Sequence, residues 1–287
     1  MKWEGRRESE NVNDRRGMSP GMVGGGGGLI TIVVLGIAYF MGADPRQLLQ
    51  ILAQQGQQAA VVQQERSPEE DRAAKFVAVV LADTEDVWND LFPKLVGKPY
   101  RDPQLELFTG STDSACGRAS AAVGPFYCPG DNKVYLDLGF FVELQEKFKA
   151  PGDFACAYVI AHEVGHHVQN LLGLSDEVSA QQARAGEVEG KHLSVRLELQ
   201  ADFLAGVWAH HAQKTKQILE SGDIGEAINA AQAIGDDTLQ RQSTGRVRPD
   251  AFTHGSSKQR IKWFTHGLKT GNLKDLNLLF DTPYEEL

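Results

Sequence analysis

The chain has 287 residues, of which 41% are hydrophobic, so it can bury the core of one good-sized domain or of two small ones. Its formal net charge of −9 argues against nucleic acid as the main partner, because phosphate binding needs a concentrated basic face. The charge favours no other class of partner, and the composition leaves the oligomeric state open.

The N-terminal part of the chain has the pattern of a membrane anchor. Residues 1–20 form a polar segment of mixed charge, and residues 21–43 contain no ionisable side chain and are long enough for one transmembrane helix. A cleaved signal peptide or a buried core helix is the alternative, but the polar leader is long for a signal peptide. Five basic residues precede the apolar stretch and one closely follows it. The positive-inside rule therefore predicts a bacterial inner-membrane protein with a cytoplasmic N-terminus and a periplasmic domain.

Residues 44–66 are rich in Gln and Ala and are interpreted as a flexible or weakly helical stalk. Folding is predicted to restart at Ser67, which can cap a helix while the following proline takes the first helical position. Apolar residues then recur at helical spacing up to Pro93, where the helix is expected to end. The sequence therefore predicts a folded domain at residues 67–287.

A short sheet and many helices are predicted for this domain. Residues 104–108 alternate as in a strand, and residues 123–128 and 133–137 flank a Pro-Gly-Asp-Asn turn that favours a hairpin. Helical periodicity is found at 139–148, 154–172, about 191–219, 224–233 and about 256–268. The predicted fold class is α+β and predominantly helical.

The three cysteines contain no CxxC pair, which does not favour a structural zinc knuckle. Cys116 and Cys128 enclose a short loop that a disulfide could close in an oxidising compartment. Cys156 lies in an apolar helical run, where a free thiol packs as a small hydrophobe.

An HExxH pattern, from His162 to His166, lies inside one of the helical runs. On a helix both histidines lie one turn apart on one face, so their imidazoles can bind one zinc ion while Glu163 meets the bound water. In a core helix without a metal, these polar side chains would cost on the order of several kcal/mol without compensation. The pattern therefore predicts a Zn²⁺ site held by His162 and His166.

A catalytic zinc needs a third protein ligand and an open position. The metzincin spacing is excluded, because glutamine and leucine stand where its glycine and third histidine would be. Glu198 and Asp202 lie four residues apart on an otherwise apolar helical segment, so we expect Glu198 to be the third ligand and Asp202 to orient a ligand histidine. A solvated acidic stripe is the alternative for this pair. Glu187 and Glu189 are rival ligands in a glycine-flanked polar loop.

The HExxH segment at 162–166 together with the ExxAD segment at 198–202 resembles the glutamate-liganded zincins. More narrowly, the opening MKWEGRRESENVNDRR, the Gly-rich apolar stretch, SACGRASAAVGPFYCPGDNKVYLD and AHEVGHHVQ resemble the bacterial putative neutral zinc metallopeptidase family over nearly the whole chain. The resemblance implies a zincin-like metallopeptidase domain with one Zn²⁺ per chain. It implies no particular substrate.

A second resemblance is to membrane-associated zinc proteases that process prenylated or heat-damaged proteins, in which a Thr-His-Pro segment is followed by Arg-Ile. Here His254 and Arg260 keep that spacing, with glycine in place of proline. By analogy His254 would stabilise the oxyanion, and Arg260 would pair with an acid such as Asp202. A helix-start histidine without a role is the alternative, and Tyr127 or Tyr135 on the hairpin could face the oxyanion instead.

The predicted function is a membrane-anchored zinc metallopeptidase that acts on a peptide or protein substrate. Glu163 would take the proton of a zinc-activated water and return it to the leaving amine. The competing hypothesis is a non-catalytic, membrane-anchored envelope binding or scaffold protein with a structural metal, although a structural zinc normally fills all four positions. A zinc hydrolase acting on a non-peptide bond is a third hypothesis. The hairpin edge could accept an extended peptide as an added strand.

Overall fold

A four-stranded sheet and a layer of long helices make up the part of the chain that the computed structural model describes, residues 1–17 and 66–287. The strands of this sheet are β1 (Val12–Asp14), β2 (Gln104–Phe108), β5 (Phe126–Cys128) and β6 (Lys133–Asp137). Their order is β1-β2-β6-β5, with β1, β2 and β6 parallel and β5 antiparallel to β6. Strands β3 (Ser111–Ser114) and β4 (Gly117–Ser120) form a separate antiparallel hairpin.

Within the described residues, the helices come after the strands of the four-stranded sheet, except for the first helix. In chain order they are α1 (Pro68–Val96), α2 (Gly139–Glu146), α3 (Asp153–Leu171), α4 (Leu174–Gln182), α5 (Glu187–Lys216), α6 (Asp223–Ala233), α7 (Asp236–Thr244), α8 (Ser257–Thr270) and α9 (Leu278–Asp281). The predicted fold class, α+β and predominantly helical, is confirmed.

Helix α1 begins as predicted and ends later. The Ser67 hydroxyl accepts the backbone N–H of Glu70, and the Glu70 carboxylate accepts the backbone N–H of Ser67, which completes a capping box. The prediction that Pro93 ends the helix is wrong, because its carbonyl still accepts the N–H of Gly97. Gly97, at φ 69°, supplies the left-handed cap that stops the helix.

The sequence analysis missed some elements because they lack apolar periodicity. The predicted β5–β6 hairpin is present. Strands β3 and β4 read STDS and GRAS, which contain no alternating apolar residues, and α7 reads DDTLQRQST with a single leucine. Their positions are set by contacts with the rest of the domain rather than by a local hydrophobic face.

The N-terminal segment is part of the same fold. Strand β1 pairs in register with β2, and Trp3 is buried with its ring 5.5 Å from that of Phe76 on α1. The domain that the sequence places at 67–287 therefore also contains residues 1–17. Sequence patterns could not reveal this, because the segment is polar and its partners are distant in the chain.

No helix within residues 1–17 and 66–287 is both long and apolar enough to cross a membrane. The transmembrane helix predicted at 21–43 lies outside the described residues, as do positions 44–65 of the predicted stalk. Membrane attachment stays a prediction.

Glycines allow α5 to approach two other helices closely. A Cβ on Gly165 of α3 would lie 3.0 Å from the backbone oxygen of Ala201. A Cβ on Gly206 of α5 would lie 2.1 Å from the backbone oxygen of Phe264 on α8, which no real side chain could do without a shift. These two contacts place the acidic residues of α5 between the HExxH helix and α8.

Candidate metal centre

Three side chains from two helices converge on one point. His162 and His166 lie one turn apart on α3, and Glu198 faces them from α5. The Glu198 oxygens lie 3.2 Å from His162 Nε2 and 3.5 Å from His166 Nε2. One ligand atom from each of the three residues can be chosen so that all lie within 4.8 Å of one another. Two imidazole nitrogens and one carboxylate oxygen fit a zinc ion with three protein ligands.

Asp202 holds His162 in the orientation that ligation needs. Its Oδ1 lies 2.9 Å from His162 Nδ1, which leaves Nε2 facing Glu198. Arg260 of α8 donates to both Asp202 oxygens, at 2.9 and 3.0 Å, and the Tyr158 hydroxyl donates to the same carboxylate. Asp202 and Arg260, which were expected to pair, are thus in direct contact.

The charges of this cluster favour a cation between the imidazoles and the carboxylates. Burial disfavours protonation of His162, but Asp202 and Glu198 outweigh it and raise its pKa to about 10. Burial also disfavours the ionised form of Glu198, but His166 and His162 outweigh it and hold its pKa well below the usual range. A divalent metal would supply the positive charge that these carboxylates stabilise.

Gln169 orients the second histidine, a role that the sequence analysis missed. Its side-chain oxygen lies 2.8 Å from His166 Nδ1, and its amide nitrogen donates to the Leu197 carbonyl and the Gln200 side chain. The side chain is fully buried. Its position three residues after His166, on the same side of the helix, was the available sequence signal.

Glu163 lies beside the metal ligands in a cleft of about 510 Å³. The floor of the cleft contains the three candidate ligands and Glu163. Its apolar walls are formed by Val123, Phe126, Phe140, Phe148, Ile234 and Leu239. The arrangement leaves room for an extended chain segment next to a carboxylate that can transfer protons.

His254 lines the same cleft, with 53% of its side chain exposed. Its Nδ1 lies 3.0 Å from Thr253 Oγ1 and 3.4 Å from Asp236 Oδ1. The hydrogen bond with Asp236 raises the pKa of His254, although burial opposes this. The other Asp236 oxygen accepts the backbone N–H groups of Thr253, His254 and Gly255, at 2.7, 2.7 and 3.0 Å. Asp236 was missed, because an Asp-Asp pair at a helix start carries no catalytic signature.

The two hairpin tyrosines are engaged elsewhere. Tyr127 lines the cleft, but its hydroxyl lies 3.0 Å from both His167 Nδ1 and Asn170 Nδ2. Tyr135 is buried, and its hydroxyl donates to Asp131 at 2.7 Å. Of the three candidate oxyanion donors, His254 is the one whose ring is half exposed in the cleft.

The rival ligands lie at the start of α5. Glu187 is 83% exposed and pairs with Lys191, and Glu189 is also exposed. Glu198 is about 16 Å further along the helix than Glu187 at 1.5 Å per residue. Neither Glu187 nor Glu189 is among the three residues whose ligand atoms converge.

Cys116 and Cys128 form a disulfide that joins the end of the β3–β4 hairpin to β5. The loop that it closes contains the residues at 123–127 that line the cleft. Cys156 carries a free, half-buried thiol, and burial raises its pKa. The Cys116–Cys128 disulfide therefore ties one wall of the cleft to the sheet.

Two histidines on an HExxH helix with a glutamate from a second helix form a group that could hold a metal ion, in the arrangement of the glutamate-liganded zincins. The profile of a family described as putative neutral zinc metallopeptidase matches residues 1–279, and the chain belongs to this family. It is similar to the uncharacterized protein YpfJ of Escherichia coli K12, with 50% identity over 96% of this chain and 98% of that one. It is also 47% identical to the uncharacterized protein Rv2575 of Mycobacterium tuberculosis, over 65% of this chain and 64% of that one. No solved structure matches the chain.

Proposed function

We propose that the chain is a zinc-dependent peptidase that hydrolyses peptide bonds in the cleft beside His162, His166 and Glu198. The observation that carries the proposal is the convergence of these ligand atoms next to Glu163 in one cleft. Membership of a family described as zinc metallopeptidases supports it.

Zinc bound at this site would supply a Lewis acid that polarises a carbonyl and lowers the pKa of a water. His162 and His166 would bind it through Nε2, since Nδ1 of each ring contacts Asp202 or Gln169. Glu198 would add a carboxylate oxygen. Three protein ligands leave one position open for substrate or water, as catalysis needs.

Glu163 is the proposed proton carrier. It would take a proton from the attacking water and return it to the leaving amine, a role that typically contributes a factor of roughly 10²–10⁴. His254 would donate a hydrogen bond from Nε2 to the developing oxyanion, because its Nδ1 faces Thr253 and Asp236.

The peptide would enter along β5. Within the described part of the chain, β5 pairs only with β6, so its other edge can accept an extended peptide as an added strand. Phe126 and Tyr127 place this strand in the wall of the cleft. His167 and Asn170 of α3 hold Tyr127, which fixes the strand against the metal-binding helix.

The test compares zinc content and peptide cleavage for the full chain and three variants. We expect about one zinc per chain in the parent, little in Glu198→Ala, and an unchanged amount in Glu163→Gln. Digests of a peptide library should show cleavage by the parent and a loss of roughly 10²-fold or more in Glu163→Gln. Glu187→Ala is the matched control, because this exposed glutamate lies on the same helix away from the site.

Zinc binding with no cleavage by the parent would favour the non-catalytic binding protein. Cleavage retained in Glu163→Gln would refute the proposed role of that carboxylate. A parent without zinc would remove the basis for both hypotheses of a metal-binding function.

A further inference from the structure

The N-terminal segment is held in the metal-site domain by backbone hydrogen bonds. Leu105 on β2 donates its N–H to the carbonyl of Asn11, at 2.9 Å, and Arg15 donates to the carbonyl of Leu107, at 2.8 Å. The Ser9 N–H reaches the carbonyl of Ala78 on α1, at 2.9 Å. The segment therefore supplies an edge strand of the sheet and is not a tail on its surface.

Buried carboxylates of the domain depend on this segment for their partners. Glu85 on α1 is 4% exposed, and its carboxylate bonds Arg7 at 3.0 Å, Asn11 at 2.9 Å and the Ser9 hydroxyl. Within the described residues, all these partners come from the first 17 positions. Leaving a buried acceptor without its hydrogen-bond partners typically costs about 1–3 kcal/mol, and more for a charged group, so the segment is strongly retained.

Two further buried acids each have one cationic partner from this segment and one from elsewhere in the domain. Asp83 is 2% exposed and pairs with Arg6 at 2.6 Å, with Lys216 as its second partner. Glu106 on β2 is 1% exposed and pairs with Arg15 at 3.3 Å. Three of the five basic residues on which the predicted cytoplasmic N-terminus rests are thus paired with buried acids of the folded domain.

The segment also contacts the HExxH helix. The indole N–H of Trp3 donates to Asp153, the first residue of α3, at 3.0 Å. The N-terminal segment and the metal site therefore belong to one folded unit.

The chain leaves this unit and returns to it at the same place. Arg66 donates to the backbone oxygen of Arg16 at 3.2 Å and pairs with Asp14 at 3.0 Å. A single crossing of a hydrocarbon core about 30 Å thick would leave the two ends of the intervening segment on opposite faces. Ends that touch each other cannot be separated in this way.

We propose that residues 1–17 and 66–287 lie on the same side of any membrane to which the protein is attached. The proposal is an alternative to the single-pass topology predicted from the sequence, in which the two parts lie on opposite sides. It does not depend on peptidase activity, because it rests on contacts far from Glu163.

The first test is a cross-link in membranes that contain the full chain. Glu4 and Arg72 form an exposed ion pair at 3.0 Å, so Glu4→Cys and Arg72→Cys place two thiols within reach of a short bis-maleimide. A Cys156→Ala background removes the free native thiol. After cleavage at a protease site inserted at Gly56, we expect the two fragments to remain joined. Failure to join in protein whose Cys116–Cys128 bond is formed would overturn the proposal.

The matched control pairs Glu4→Cys with Glu189→Cys. Glu189 is exposed at the start of α5, about 40 Å along the helix axis from Lys216, which lies next to the N-terminal segment. The short reagent should not join this pair, so a product there would show non-specific linkage and remove the support given by the first pair.

The second test labels single cysteines with a membrane-impermeant maleimide in intact and lysed spheroplasts. Glu10→Cys and Lys98→Cys are both exposed, one in each part of the chain. We expect both to be accessible in intact spheroplasts or both to be protected until lysis. Labelling of one and protection of the other would refute the proposal whatever the cross-link shows.

Discussion

The metal cleft and the N-terminal interface both bury carboxylates, but they neutralise them in different ways. At the interface, Asp83 and Glu85 each contact a side-chain cation that belongs to the fold, such as Arg6 or Arg7. In the cleft, Glu198 faces two imidazoles whose nitrogens converge with its own oxygens on one point. A buried acid with its own partner indicates a structural role, whereas convergent ligand atoms indicate a metal.

The largest expected effect is the loss of stability when the N-terminal segment is removed. A chain that begins at Ser67 lacks β1 and the partners of Glu85, so we expect a loss of more than about 5 kcal/mol, a large share of a typical domain's stability. Urea unfolding followed by circular dichroism should show no cooperative transition.

The control keeps the N-terminal segment and shortens the connection between it and α1. Replacing 19–64 by a short Gly-Ser linker should preserve cooperative unfolding, because Arg16 and Arg66 are already in contact. Equal stability of the two shortened chains would contradict the view that residues 1–17 are part of the core.

The next largest effect is a loss of stability and of zinc affinity when the contact between α5 and α8 is disturbed. In Gly206→Ala the added Cβ would meet the Phe264 backbone oxygen at 2.1 Å, so α5 and α8 must move apart. We expect a cost of about 1–3 kcal/mol or more, together with weaker zinc binding because Arg260 moves away from Asp202. Denaturant unfolding and zinc titration measure the two effects.

Gly190→Ala is the matched control on the same helix. Nothing lies within 4 Å of its added Cβ, so the substitution should stabilise the helix by roughly 0.5–1 kcal/mol. A similar loss in both variants would show that the α5–α8 contact does not decide the outcome.

A smaller effect compares a buried acid that contacts a candidate metal ligand with one that does not. Asp202→Asn weakens the orientation of His162 and should lower zinc affinity roughly 10–100-fold, measured by chelator competition. Asp83→Asn should lower stability and leave zinc affinity unchanged, because Asp83 contacts Arg6 and Lys216 and no candidate ligand. Equal zinc affinity in the two variants would remove the distinction drawn between the regions.

The cleft was largely predictable from the sequence because its key spacing is local. His162 and His166 are one helical turn apart in an HExxH motif, and Glu198 with Asp202 repeat that spacing on an apolar segment, so motif and helical spacing together selected them. Gln169 and Asp236 escaped because their roles arise only when distant segments meet.

The interface was not predictable for a related physical reason. Arg6, Arg7 and Arg15 look like an ordinary basic flank in the sequence, since their acids lie more than 70 residues away. Strand β1 has three residues and no alternating apolar pattern, so nothing local distinguishes it from a loop. Its structure comes from pairing with β2 and from buried charges.

The smallest predicted effect is a change in the pKa of His254. Asp236→Asn removes the carboxylate that raises the pKa of this histidine, so the pKa should fall toward its usual range near 6.5. The raised pKa means that the contact stabilises the folded state fully below pH 6.5 and loses this effect as the pH rises through the folded-state value. Histidine NMR titration of the zinc-free chain and unfolding at several pH values measure both consequences.

Asp237→Asn is the matched control for this pair. Its carboxylate accepts the N–H and hydroxyl of Ser257, at 2.7 and 2.8 Å, and so anchors the same loop without contacting His254. If both variants shift the pKa of His254 equally, loop position and not the neighbouring charge controls it. If only Asp236→Asn shifts it, Asp236 positions and charges the ring that we place opposite the scissile carbonyl.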